Sequence, residues 1–244
     1  MKTPSNRIAL VTGANKGIGF EIARQIGRTG VTVLLGARNQ AAGEKAAATL
    51  TEEGIDARFL AIDVADYASV DAAAGAVTNG FGCLDILVNN AGINDPSDGL
   101  IPAARLDAVE RVLRTNFLGA LAVTQAMLPL LRKSKAARVV NVSSGLGSLT
   151  QIGDPSFSRP EVRLIGYCAS KAALNMLTVQ LAYLLRDTAI KVNSADPGYT
   201  ATDLNGHRGT QTIPEGSAEA IRLALLPDDG PTGTYSNSRG ILPW

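Results

Sequence analysis

Six short runs, Ile8-Ala9-Leu10-Val11, Val31-Thr32-Val33-Leu34-Leu35, Arg58-Phe59-Leu60-Ala61-Ile62-Asp63-Val64, Leu84-Asp85-Ile86-Leu87-Val88, Arg138-Val139-Val140-Asn141-Val142 and Ile190-Lys191-Val192-Asn193-Ser194, alternate with stretches of helical spacing. Apolar runs of this length, without regular polar alternation, are what strands buried on both faces look like, and strands joined through helices pair in parallel. The chain is thereby committed to the α/β class: a Rossmann-type, doubly wound parallel sheet of about seven strands, the last at Thr234-Tyr235-Ser236, flanked by helices. With 244 residues and no linker, repeat or charge block, one domain spanning 1–244 is expected.

The first run leads into Thr12-Gly13-Ala14-Asn15-Lys16-Gly17-Ile18-Gly19, and apolar residues at 18, 22 and 26 then share one helix face. A glycine turn between a buried strand and a helix lets backbone approach a pyrophosphate, whose charge the unpaired N–H groups at the helix start stabilise. The spacing is G-x-x-x-G-x-G, not the commoner G-x-G-x-x-G, and such a turn can also be purely structural. After the second strand comes Gly36-Ala37-Arg38-Asn39, with no acid between 31 and 39 to hold ribose hydroxyls. Arg38 offers a fork to a 2′-phosphate and Lys16 adds a second positive charge, so NADP(H) is favoured over NAD(H) unless both are ordinary exposed cations. Asp63 and Val64 end the third strand, where they meet an adenine or where Asp63 caps the next helix, near 65–78. Asn89-Asn90-Ala91-Gly92 ends the fourth, as cofactor floor or as plain turn chemistry.

Asn116 lies in an otherwise apolar helical stretch, 105–132, and must find polar partners there. The fifth strand delivers Ser143-Ser144-Gly145 to the carboxyl edge, where α/β sheets bind ligands. Tyr167-Cys168-Ala169-Ser170-Lys171 opens a long helix and places the phenol and the ammonium four residues apart on one face. Lys171 is then placed to stabilise a phenolate and bring the phenol toward neutral pH, though a solvated surface pair has the same spacing. Between them, 151–166 is irregular and rich in Pro and Gly, a candidate wall of the substrate pocket. Asp196-Pro197-Gly198-Tyr199-Thr200-Ala201-Thr202 follows the sixth strand, with threonines able to bond a carboxamide, and 199–217 reads as a lid holding the single histidine, His207.

A net charge of +1 gives no electrostatic ground for a nucleic-acid or anionic-membrane partner. Cys83 and Cys168 form neither a disulfide framework nor a metal cluster, and no apolar segment has signal-peptide or membrane-span character, so a metal-free cytoplasmic protein is expected.

Taken together these motifs, in this order, resemble the classical short-chain dehydrogenase/reductase family, and within it carbonyl-reductase-like members, from about residue 8 to 244. The resemblance implies that Ser144 (or Ser143) is the catalytic serine, Tyr167 the acid/base, Lys171 its activator and a ribose ligand, and Asn116 the anchor of a relay water. It also implies that the cofactor part is 7–145, with Gly13, Asn15, Lys16, Gly17, Ile18, Gly19, Arg38, Asp63, Val64, Asn89, Ala91 and Gly92 along the cofactor, and Pro197, Gly198, Thr200 and Thr202 at its nicotinamide end. The expected reaction is reversible NADPH-dependent reduction of a ketone or aldehyde. The alternatives are a 3-oxoacyl-thioester reductase, or a redox sensor that binds NADP(H) without turnover. The Ser144-to-Tyr167 separation is longer than the minimal family pattern, which leaves dimer, tetramer or monomer open. Asp196 stands where the family more often has a small or neutral residue; it either faces the pocket, disfavouring anionic substrates, or caps a turn.

Overall fold

In the computed structural model, which describes residues 7–157 and 162–244, eight strands form one sheet: β1 (Ile8–Thr12), β2 (Thr32–Ala37), β3 (Ala57–Ala61), β4 (Ile86–Asn89), β5 (Arg138–Val142), β6 (Lys191–Ala195), β7 (Tyr235–Asn237) and β8 (Gly240–Ile241). Their spatial order is β3-β2-β1-β4-β5-β6-β7-β8; all neighbours are parallel except β7 and β8. The one strand beyond the expected seven is a two-residue antiparallel return that closes the edge.

The helices are α1 (Gly17–Gly27), α2 (Gln40–Glu52), α3 (Tyr67–Phe81), α4 (Leu106–Leu113), α5 (Ala120–Leu131), α6 (Leu149–Gly153), α7 (Ile165–Leu184) and α8 (Ile213–Ala224). Period-two alternation divides each central strand between two cores. Ile8 and Leu10 of β1 join Val70, Val123, Met127 and Leu181 under α3, α5 and α7, whereas Ala9 and Val11 join Ile22, Ile26, Leu50 and Leu223 under α1, α2 and α8. Burial on both faces is why the strands read as continuous apolar runs. No helix among the described residues is long and apolar enough to cross a membrane.

Chain direction reverses between β1 and β4: from β1 the sheet grows one way through β2 and β3, then the other way from β4. The crevice at such a switch point is where open α/β sheets take ligands. The glycine turn after β1, the Asn-rich turn after β4 and the serines after β5 all emerge there. Asp63 does not cap α3. That cap is Asp66, whose carboxylate accepts from Ala68 N, while Asp63 Oδ1 accepts from Ala65 N one turn earlier. The expected helix 105–132 is interrupted by a π-helical turn, Arg114–Gly119, that carries Asn116. Part of the expected 151–166 pocket wall, residues 158–161, lies outside the described residues.

Candidate active site

The turn after β1 is built by two glycines in the left-handed region, Gly13 (φ +64°) and Gly17 (φ +61°). At Gly17 an added Cβ would meet nothing within 4 Å, so its backbone faces open cleft. The turn is tied to its neighbour: Thr12 Oγ1 accepts from Asn90 N (3.0 Å) and Ala91 N (3.1 Å), and Asn90 Nδ2 donates to Thr12 O (2.9 Å) and Gly13 O (3.2 Å). Gly19 is required by close approach, because a Cβ there would lie 2.3 Å from Asn90 Nδ2 and 2.6 Å from Gly13 O. Gly19→Ala is therefore expected to cost about 1–3 kcal/mol by overpacking, a fall of several degrees in Tm. An unchanged melt would show that Asn90 moves aside freely.

The cleft encloses about 840 Å³. Gly13, Asn15, Lys16, Gly17, Ile18 and Gly19 form one wall; Arg38, Asp63 and Val64 line the end beside β2 and β3. Ala91 and Gly92 lie along its middle, Tyr167 and Lys171 on its floor, Pro197 and Thr202 at the far end. Asn90 of the 89–92 turn, Asp203 and His207 of the 199–217 segment, and Thr115, which the sequence did not single out, also line it.

Some expected cofactor residues face elsewhere. Asn89 is buried under the sheet, its amide donating to Thr124 Oγ1 (3.0 Å) and Asn141 Oδ1 (2.9 Å); the neighbouring Asn90 is the residue that reaches the cleft. Thr200 is buried with its hydroxyl on Pro197 O (2.9 Å) and packs against Gly216, leaving Thr202 alone to face the cleft. Gly198 (φ +66°) turns the chain without lining the cleft. Lys16 does not stand free beside Arg38: it reaches across to the 199–217 segment and ion-pairs with Asp203, whose other oxygen takes His207 Nε2 at 2.7 Å. That segment is pinned at its neck, where Ala201 N donates to Gln211 O (2.9 Å) and Thr210 N to Tyr199 O (2.8 Å).

The start of α7 carries the reactive groups, and its first turn has no local side-chain cap. Asp98, in the loop after β4, supplies one from a distance: its carboxylate accepts from Gly166 N (2.9 Å) and Tyr167 N (2.8 Å). An anion on those N–H groups complements the helix dipole and fixes the helix start. Lys171 is 4 % exposed; its ammonium donates to Val142 O (2.8 Å) and lies 5.6 Å from the centroid of the Tyr167 ring. Gly147 makes room for this helix, since a Cβ there would lie 2.7 Å from the Lys171 carbonyl carbon.

The expected lowering of the phenol by Lys171 is not what the cleft without cofactor does. Burial pushes Tyr167 up to about 12, with hydrogen bonding from the Ser144 side chain opposing and the Asp196 charge adding to the rise. Burial also pulls Lys171 down to about 8, against the raising influence of Asp196. Desolvation is the largest cause of both shifts.

Of the two serines, Ser144 is the one against the phenol; Ser143 is buried with its hydroxyl on Lys171 O (3.4 Å). The Asn116 amide accepts from Ile93 N (2.8 Å) and donates to Ile93 O (3.0 Å) and Ser170 Oγ (3.1 Å). It holds the strand-end loop against α7; both amide protons are used, which leaves one Oδ1 lone pair to accept from a water. Tyr235, which sequence reasoning missed, donates its hydroxyl to Ser144 O (2.5 Å) and stacks on Trp244 at 5.4 Å between centroids.

A family model described as short chain dehydrogenase matches residues 7–212. Among curated relatives, short-chain dehydrogenase/reductase 1 of Saponaria officinalis is 34 % identical, the match covering 98 % of this chain and 96 % of that one. Carbonyl reductase [NADPH] 1 of Mus musculus is 33 % identical over 98 % of this chain and 99 % of its own. The solved structure of a gluconate 5-dehydrogenase from Burkholderia cenocepacia, in complex with NADP and tartrate, superposes with a TM-score of 0.82 at 28 % identity, covering 95 % of this chain and 92 % of that one. On the family match, the relatives and a glycine turn, Tyr167 and Lys171 gathered at one switch-point cleft, the chain belongs to the short-chain dehydrogenase/reductase family of oxidoreductases.

Proposed function

We propose that this oxidoreductase is an NADP(H)-dependent carbonyl reductase. The observation that carries the proposal is the meeting of Tyr167 and Lys171 at the floor of a cleft whose rim bears Lys16 and Arg38, with the Ser144 side chain hydrogen-bonded to the phenol. The residues fit a dinucleotide: open backbone at Gly17 for a pyrophosphate, and cations where an adenosine 2′-phosphate would lie. Arg38 would hold that phosphate, joined by Lys16 once it exchanges Asp203 for it, with Asp63 and Val64 at the adenine, Tyr167 and Lys171 at the ribose, and Pro197 and Thr202 at the nicotinamide end. The names of the mouse carbonyl reductase and of the NADP-bound neighbour support this choice of cofactor.

Bound there, the reduced cofactor supplies the hydride that the carbonyl carbon gains, while the carbonyl oxygen gains one proton, giving the alcohol. Ser144 and Tyr167 donate hydrogen bonds to that oxygen and stabilise the charge that develops on it. Tyr167 completes the proton transfer, Lys171 steadies the phenolate left behind, and solvent restores the proton. Asp98 fixes the helix start from which the phenol projects. The segments 151–166 and 199–217 would enclose the substrate. Cys83 and Cys168 are free thiols, compatible with a reducing, cytoplasmic setting.

The test is consumption of NADPH and NADH by the purified protein with aryl ketones, ketoesters, aldehydes and quinones. Turnover of NADPH well above NADH is expected; silence on every carbonyl with NADPH bound would refute the reductase reading. Arg38→Leu removes a charge-assisted contact worth about 1.5–3 kcal/mol. KM for NADPH should rise about 10–100-fold, with KM for NADH nearly unchanged. An equal rise for both cofactors would place Arg38 outside the phosphate site.

A further inference from the structure

Behind the reaction centre, at the end of β6, stands an anion that the mechanism above does not use. Asp196 is 8 % exposed and is not part of the cleft lining. Its Oδ1 accepts from Gly145 N (2.9 Å), directly after Ser144, and from Gly198 N (2.9 Å) in the turn at the nicotinamide end. Its Oδ2 accepts from Asn237 Nδ2 (3.3 Å), and its own N–H donates to Ser236 O (2.8 Å) on β7. One carboxylate thus joins the ends of β5, β6 and β7. Among the described residues no arginine, lysine or histidine forms an ion pair with it.

Two consequences follow. The first is geometric: Oδ1 is taken by two backbone N–H groups and Oδ2 by the Asn237 amide, so of the two roles open from sequence it is the turn that it caps, away from the cleft lining. The second is electrostatic: the Lys171 ammonium sits on Val142 O, Val142 pairs in register with Ala195, and Asp196 is the next residue, so this anion without a partner cation is the counter-charge one strand away from the buried ammonium.

We infer that Asp196 is a positioning residue of the reaction centre, which locks the Ser144 loop to the Pro197-Gly198 turn and supplies the fixed negative charge that keeps the buried Lys171 protonated. The inference rests on the reductase reading only for its kinetic consequence. The groups that face Tyr167 and Lys171 are Cys168 on the same helix, Ser144 from β5, Asp196 from β6 and Tyr235 from β7, with Asp98 on the helix backbone. Of these, Asp196 alone is an anion shared by both members of the pair.

Asp196→Asn separates the two parts of the role, because the amide oxygen still accepts from Gly145 and Gly198 while the charge is gone. The direct readout is the titration of the Lys171 side chain by NMR in lysine-labelled, cofactor-free protein, its signal assigned by its loss in Lys171→Met. The midpoint is expected to fall by about one unit in Asp196→Asn, and likewise in Asp196→Ser. The kinetic readout is the pH profile of alcohol oxidation, whose rising limb should move to lower pH by about the same amount, since the phenolate no longer faces a like charge. A lysine midpoint that stays in place in either folded variant overturns the inference, and so does failure of the near-isosteric Asn variant to fold, which would assign Asp196 to the fold alone. A shifted midpoint in a protein with no Tyr167-dependent turnover would uphold the counter-charge and refute the reductase reading instead.

Discussion

Tyr167→Phe is expected to lower kcat for carbonyl reduction by about 10²–10⁴-fold, the range for loss of a positioned general acid. The ring that lies beside Lys171 is kept, so NADPH affinity should change less than about threefold and Tm by only a few degrees. Tyr167 is half-buried, and its hydroxyl has as partner the Ser144 side chain, whose Oγ also accepts from Leu146 N (3.2 Å). Stopped-flow single turnovers separate chemistry from product release and should show the loss in the chemical step. Retention of more than about a tenth of kcat would remove Tyr167 from the acid role. The direction of the reaction matters here. With its phenol pushed up to about 12, Tyr167 in the cofactor-free cleft is protonated at every ordinary pH. Reduction, which uses the phenol, should vary little between about pH 6 and pH 8, whereas oxidation, which needs phenolate, should keep rising into the alkaline range.

What could be read from the chain was whatever is encoded locally. Strands buried on both faces announce themselves as apolar runs, and β1, β2 and β5 lie within two residues of where those runs fall. The glycine turn is equally local, because its left-handed conformations at Gly13 and Gly17 exclude most side chains. Errors came where one residue's parity decides its face. Asn89 and Asn90 are the same amide one position apart, yet Asn89 pairs with Asn141 in register and goes under the sheet, while Asn90 goes to the cleft. Thr200 and Thr202 sit two apart, but the chain has left the sheet at the end of β6 and turned at Gly198 before reaching them, so alternation no longer predicts which side they take. Asp98, Tyr235 and the reach of Asp196 back to Gly145 were illegible for a different reason. Each acts across 51 to 91 residues of sequence, on a backbone atom that any residue at the receiving position would provide. No side-chain pattern marks such a contact. The high phenol pKa was missed because spacing shows that two groups meet but not how dry the meeting place is.

Lys171→Met is the complementary experiment, and its two effects have opposite signs. Activity should fall about 10²–10³-fold, because the phenolate loses its adjacent cation in a site of low dielectric, and NADPH binding should weaken as a ribose contact goes. Stability should rise. The ammonium is 4 % exposed and has Val142 O as its hydrogen-bond acceptor, and burial has pulled its pKa from 10.5 down to about 8. Between those two values the unfolded chain keeps a proton that the native chain has released, so native stability increases with pH across the window. Below about pH 8 the native state bears the full cost of holding the charge. An apolar side chain of similar volume bears none of it; Asp196 loses its counter-charge but keeps its own three hydrogen bonds, and the balance is expected to be a gain of about 1–2 kcal/mol at pH 7, or roughly 2–8 °C in Tm for a domain of this size. The gain should shrink as pH approaches 10, where wild type has shed its proton. A variant that is both inactive and less stable at pH 7 would mean that Lys171 holds the fold together; one that is inactive and more stable would mean that its burial is a cost the fold bears for catalysis.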